Sequence, residues 1–123
     1  MMTLRVNGHD HQIDADPDTP LLLLEGKQVT TLEGLGTVET PATIQRAFME
    51  EQAAQCGYCI AGMMMRAQAL LQKNPKPTDA QIRTELEPHL CRCGTHMRIL
   101  RAVHRAAHLM QTADASQSQR SAQ

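Results

Sequence analysis

Residues 56–59 read CGYC and residues 91–93 read CRC, and together they hold all four cysteines of this 123-residue chain. Each stretch places two thiols close enough along the backbone to bind one metal centre. The segment between them is long enough to form helices. Four thiolates are soft ligands that suit zinc or an iron–sulfur cluster. We therefore interpret the chain as a small protein folded around a four-thiolate centre.

Composition limits the class of protein. The formal net charge is -1, so nothing points to nucleic acid or to an anionic membrane surface as a partner. One Phe, one Tyr and no Trp predict a thin core of aliphatic residues and Met. No apolar run approaches the roughly 20 residues of a membrane span. Because the first residues lack the pattern of an export signal, we expect a cytoplasmic protein with reduced thiols.

The chain beyond residue 40 has the pattern of four helices. The cysteine pairs fall in the loops after the first and the third predicted helix, so two helical hairpins would each offer a dithiolate. Packed with their loops together, the hairpins would bring four sulfurs to one point. Apolar spacing and start and stop signals place these helices at residues 41–52, 60–73, 80–86 and 96–111.

The two ends of the chain have different patterns. Residues 2–13 predict a β-hairpin that turns at Asn7-Gly8, a strong two-residue turn signal. An acidic loop follows at residues 14–20, a further strand is expected at residues 28–32, and a linker follows it. The last residues, 113–123, are rich in Ser and Gln and predict a disordered tail.

Spacing alone leaves the centre open among an iron–sulfur cluster, structural zinc and a thioredoxin-like dithiol. The dithiol is the weakest of the three because no βαβ pattern leads into CGYC and the second pair would have no role. Arg92, Arg98 and Arg101 would favour an anionic cluster, although Arg98 and Arg101 fit an ordinary solvated helix surface equally well.

Four motifs carry a family resemblance: QCGYC at 55–59, GM at 62–63, NPKPT at 74–78 and CRCGT at 91–95. In this order they resemble the small iron–sulfur subunits of molybdenum hydroxylases, the xanthine dehydrogenase and aldehyde oxidoreductase family. The CRCGT form is most similar to isoquinoline 1-oxidoreductase and nicotinate dehydrogenase small subunits. The resemblance covers residues 34–110.

The resemblance implies a mainly α fold with two domains. Residues 1–36 resemble the flanks of a β-grasp ferredoxin-like domain and form a truncated remnant with its linker. Residues 37–112 form the four-helix [2Fe-2S]-binding domain, made of two helical hairpins. Residues 113–123 form the disordered tail.

The resemblance also implies a function, which is electron transfer within a molybdenum hydroxylase. Electrons would pass from the molybdopterin cofactor of a large partner subunit through one [2Fe-2S] cluster, and then to a flavin or cytochrome acceptor. Gln55 and Cys93 would contact the pterin, although Gln55 also suits a hydrogen bond to local backbone. The alternative is a zinc-stapled helical interaction module without redox activity. The implied cluster ligands are Cys56, Cys59, Cys91 and Cys93.

One part of the family pattern is missing. Family members carry a cysteine-rich segment for a second [2Fe-2S] cluster between the regions that correspond to Leu24 and Glu25. This chain has no cysteine there. Either the protein carries an internal deletion, or this sequence omits a segment that the full protein carries.

Overall fold

The computed structural model of the protein describes residues 2–14, residue 16 and residues 24–120, with side chains as far as residue 118. It divides into two compact units, Met1–Val38 and Glu39–Gln123. The division falls close to the predicted boundary between residues 36 and 37. The two units are described separately.

The first unit contains a three-stranded sheet. Strands β1 (Met2–Val6) and β2 (His9–Ile13) pair antiparallel, and β3 (Gln28–Val29) pairs parallel with β1, giving the order β2-β1-β3. Asn7 and Gly8 join β1 to β2 with φ values of 51° and 84°. Positive φ at both turn residues matches the twist of the flanking strands. The hairpin predicted from the sequence is therefore present.

Asn7 also connects the hairpin to the chain after β3. Its Nδ2 donates to Thr31 Oγ1 at 2.7 Å, and the Thr31 backbone N–H donates to Asn7 Oδ1 at 2.9 Å. The strand expected over residues 28–32 is present but shorter than predicted: it ends at Val29, and a short helix α1 forms at Leu32–Leu35. Bonding to Asn7 draws Thr31 away from the ladder. The predicted loop at residues 14–20 lies almost entirely outside the described residues.

The second unit contains four helices: α2 (Thr43–Glu50), α3 (Ile60–Lys73), α4 (Asp79–Leu86) and α5 (His96–Arg120). Their order and starting points agree with the sequence to within two residues. The start of α4 shows why, since Thr78 Oγ1 accepts from the Gln81 backbone N–H at 3.3 Å and Gln81 Oε1 accepts from the Thr78 N–H at 2.9 Å. This reciprocal capping satisfies N–H groups that the first turn leaves free.

The helices pack mainly across the two hairpins. The closest associations join α2 to α5 and α3 to α4, with smaller contacts between α2 and α3 and between α4 and α5. Each helix contributes to one aliphatic core, as expected for a chain poor in aromatic residues. The largest fully buried side chains are Ile44, Met63, Ile82, Ile99 and Val103. Both cysteine loops are therefore anchored to the same core.

Helix α5 is longer than the sequence predicted. The apolar stripe suggested an end at Gln111 and a disordered tail from residue 113, but the helix continues to Arg120. No Pro or Gly interrupts residues 112–120, and hydroxyl groups of this segment bond to carbonyls one turn back, as in Ser116 Oγ to Ala113 O at 2.7 Å. The helix therefore extends beyond its last buried residues, into a segment for which the sequence predicted a disordered tail.

Candidate metal centre

The first cysteine loop connects α2 to α3. Cys59 is the residue that immediately precedes α3, and its carbonyl accepts from the Met63 N–H at 3.2 Å. Gly57 has φ of 83°, and a Cβ at this position would meet no atom within 4 Å. Glycine is required here by backbone conformation and not by lack of space, since left-handed φ is strained for other residues. The turn brings Cys56 back toward the start of α3.

The second loop connects α4 to α5 and repeats this plan. Gly94 has φ of 75° and its N–H approaches the Cys91 carbonyl at 3.4 Å. Thr95 follows, and its carbonyl accepts from the Ile99 N–H at 3.0 Å as α5 begins. In both loops the cysteine pair comes shortly before a helix begins, and a glycine with left-handed φ makes the turn. Gly57 lies within the first pair, and Gly94 follows the second pair directly.

The two loops meet through their cysteine side chains. The Cys56 sulfur is within hydrogen-bond reach of Cys93, and the Cys59 sulfur of Cys91. Both contacts join one loop to the other, and all four cysteines are free thiols. Across the described ranges, no group of three or more His, Cys, Asp or Glu side chains is placed to hold a single metal ion.

Hydrogen bonds favour the thiolate form at two of the cysteines. The Thr95 hydroxyl, and then the Thr95 backbone N–H, lower the pKa of Cys91 to about 6. The backbone N–H of Tyr58, and then the Cys93 thiol, lower the pKa of Cys56. Burial raises the pKa of Cys59, and so does its hydrogen bond to Cys91. The loops thus place donors where ligand thiolates would need them.

A cavity of about 420 Å³ opens beside the thiols. Its rim carries two apolar side chains that are almost fully exposed, Tyr58 at 96% and Leu90 at 84%. Exposed large apolar side chains beside a polar centre mark a surface that a partner can cover. The cavity is lined by Cys56, Tyr58, Cys59, Leu90, Cys91 and Arg92.

The other residues that the sequence singled out lie in different settings. Gln55 is exposed in the bend just before Cys56. Arg98 Nη1 reaches the Gln52 carbonyl at 3.5 Å, and Arg101 Nε reaches Glu51 Oε2 at 3.4 Å. These two arginines join α5 to the end of α2. This agrees with the expectation that they belong to an ordinary solvated helix surface.

Sequence reasoning did not assign a role to Thr95. A Thr before a helix is ordinarily interpreted as a capping residue. Its burial beside Cys91 becomes visible only when α5 is packed against the core.

No described helix is both long enough and apolar enough to cross a membrane.

Comparison with known proteins identifies the family. Residues 31–104 match the [2Fe-2S] binding domain family. A nicotinate dehydrogenase subunit from Pseudomonas putida is 43% identical over 147 residues, covering 86% of this chain and 94% of that protein. The alpha subunit of isoquinoline 1-oxidoreductase from Brevundimonas diminuta is 52% identical over 89 residues, covering 72% of this chain and 58% of that protein.

Solved structures agree on the fold. The aldehyde oxidoreductase from Desulfovibrio desulfuricans matches with a TM-score of 0.80 and 25% identity, over 90% of this chain and 17% of that chain. Quinoline 2-oxidoreductase from Pseudomonas putida 86 matches with a TM-score of 0.76 and 22% identity, over 90% of this chain and 95% of that chain. These similarities support an iron–sulfur domain and not the zinc-stapled alternative. The chain belongs to the [2Fe-2S] binding domain family and, within it, to the small iron–sulfur subunits of molybdenum hydroxylases.

Proposed function

We propose that this chain passes electrons from the molybdopterin centre of a large partner subunit through one [2Fe-2S] cluster held between its two cysteine loops. The observation that carries this proposal is that the two loops meet, because Cys56 and Cys59 of the first loop and Cys91 of the second line one cavity. The chain would serve as the electron-transfer subunit of an oxidoreductase whose chemistry takes place on the partner.

The residues fit such a cluster. A [2Fe-2S] cluster takes four thiolates, and the chain offers four free cysteines, all in these loops. Cys56 and Cys59 from the first loop and Cys91 and Cys93 from the second would hold the cluster. When bound, the cluster supplies a one-electron carrier.

The protein's own groups would stabilise the negative charge of the ligand set. The Thr95 backbone N–H lowers the pKa of Cys91 and the Tyr58 backbone N–H lowers the pKa of Cys56, and helices α3 and α5 both begin close to a cysteine pair. The N-terminus of a helix carries partial positive charge that favours nearby anions. Hydrogen bonds to sulfur and nearby charge are the means by which a protein adjusts such a centre.

The exposed rim of the cavity is the proposed docking side for the large subunit. Gln55 and Cys93 would contact the pterin there, as the resemblance implies, with Tyr58 and Leu90 covered by the partner. Gln55 is exposed, and a partner is therefore free to reach it. A flavin or cytochrome as the next acceptor and a cytoplasmic location belong to the same proposal.

The relay would have a single cluster on this chain. The four cysteines are all used by the helical loops. The alignment with the Pseudomonas putida nicotinate dehydrogenase protein extends over 147 residues yet takes in only 86% of this 123-residue chain. That relative therefore contains residues with no counterpart here, as expected if a segment is missing; the resemblance implies that it would lie between Leu24 and Glu25.

Metal analysis of anaerobically purified full-length chain tests the function. We expect iron and inorganic sulfide in the amounts of one [2Fe-2S] cluster, a visible charge-transfer spectrum, and an EPR signal after reduction with dithionite. Cys91→Ser should lose the cluster, whereas Thr112→Ser, on an exposed part of α5, should retain it. A colourless protein that holds zinc and no sulfide would overturn the proposal.

A further inference from the structure

Among the described residues, Thr95 is the one polar residue in the buried set, which otherwise consists of apolar side chains. It is 3% exposed, and its hydroxyl lies 3.1 Å from the Cys91 sulfur. It stands at the point where the second cysteine loop enters α5. A buried hydroxyl without a hydrogen-bond partner costs about 1–3 kcal/mol, and therefore the contact with sulfur fixes the position of this side chain.

The direction of the hydrogen bond follows from the state of the sulfur. In the free thiol, either atom can donate. A cysteine that binds metal is deprotonated, and a thiolate can only accept. With Cys91 as a ligand, the buried Thr95 hydroxyl must therefore donate to its sulfur.

We propose that Thr95 is a positioning residue that acts through Cys91 and sets the reduction potential of the cluster. This inference rests on the proposed function. Reduction adds negative charge to the cluster and its sulfurs, and a donor at sulfur stabilises the reduced form more than the oxidised form. The Thr95 hydroxyl therefore raises the potential and helps the cluster to accept an electron.

The test is a redox titration of the cluster-loaded full chain as wild type, Thr95→Val and Thr95→Ser, followed by EPR. Valine keeps the branched shape and removes the donor, while serine keeps the donor. In Thr95→Val we expect the ratio of reduced to oxidised cluster at a given potential to fall roughly threefold to tenfold. Tenfold corresponds to about 59 mV for one electron. Thr95→Ser should stay near the wild type.

Pulsed EPR of the reduced cluster in H₂O and D₂O provides a second measurement. We expect the coupling of the hydroxyl proton of residue 95 to be present in the wild type and in Thr95→Ser. In Thr95→Val this one coupling should be absent. If valine prevents loading, Thr95→Ala replaces it in both measurements.

Thr78→Val is the matched control. Thr78 caps α4 through its hydroxyl but does not line the cavity beside the thiols, so it should lose stability and leave the potential unchanged. If Thr95→Val behaves in the same way, Thr95 is only a helix cap and the inference is wrong. Wild-type chain that binds no iron or sulfide would instead overturn the proposed function itself.

Discussion

Gly57 and Gly94 show how single residues shape the cysteine loops. Both have left-handed φ, and a Cβ at either would meet no neighbour. Each lies next to a cysteine and lets the loop reverse before a helix begins. Both loops therefore turn at a glycine with left-handed φ. The sequence already indicates this turn, because a Gly stands beside a Cys in each loop. Thr95 is the opposite case, since its role depends on burial that no local pattern reveals.

At this scale we predict that Gly57→Ala destabilises the apo-protein by about 1–2 kcal/mol, the cost of left-handed φ in an L-residue. Gly57→Asn should lose less, because Asn tolerates this region better. Denaturant unfolding of the wild type, Gly57→Ala and Gly57→Asn measures the free energy of unfolding of each and therefore their order of stability. Equal losses for Ala and Asn would show that crowding, and not φ, sets the cost.

At the scale of elements, the sequence predicted helices more reliably than their lengths. The start of α4 and the hairpin turn at Asn7-Gly8 were predicted well because the Thr78 capping signal and the Asn-Gly signal are local. The sequence predicted the end of α5 too early because the apolar stripe indicates only which residues are buried. The helix continues past residue 112 although the side chains there are exposed. Helix α1 was missed because its position depends on Asn7, 24 residues from Thr31.

The extension of α5 gives a direct test. Residues 112–118 are exposed, and removing residues 113–123 should therefore change the free energy of unfolding by no more than about 0.5 kcal/mol. The same truncation should reduce helical circular dichroism, since residues 113–120 are helical. A control, Ile82→Ala, removes a fully buried side chain and should cost about 2–5 kcal/mol. If the helical signal does not change after truncation, residues 113–120 are disordered in solution and the helix ends earlier.

For the whole molecule, the cysteine spacing predicts one convergent centre, and the packing of the helices shows how the two cysteine loops are supported. The sequence predicted two helical hairpins packed with their loops together. The structure adds that the helices associate mainly across the hairpins, α2 with α5 and α3 with α4, so that neither hairpin has a complete core alone. This packing could not be predicted from periodicity, because each amphipathic face is compatible with several partners. The centre and the core therefore depend on the same assembly of four helices.

The division of the chain into two units leads to the last prediction. All four cysteines lie in the second unit, and among the described residues the first contributes only Met2 and Leu4 to the buried apolar set. A fragment of residues 39–123 should therefore unfold cooperatively and load the same iron and sulfide per chain as the full protein. A fragment of residues 1–38 should show no cooperative transition, because a small sheet with so little buried surface is marginal in water. Calorimetry and iron and sulfide analysis of both fragments measure this, with the full chain as the reference. Failure of the longer fragment to load would mean that the remnant sheet supports the centre, and that the helices alone are not the electron-transfer unit.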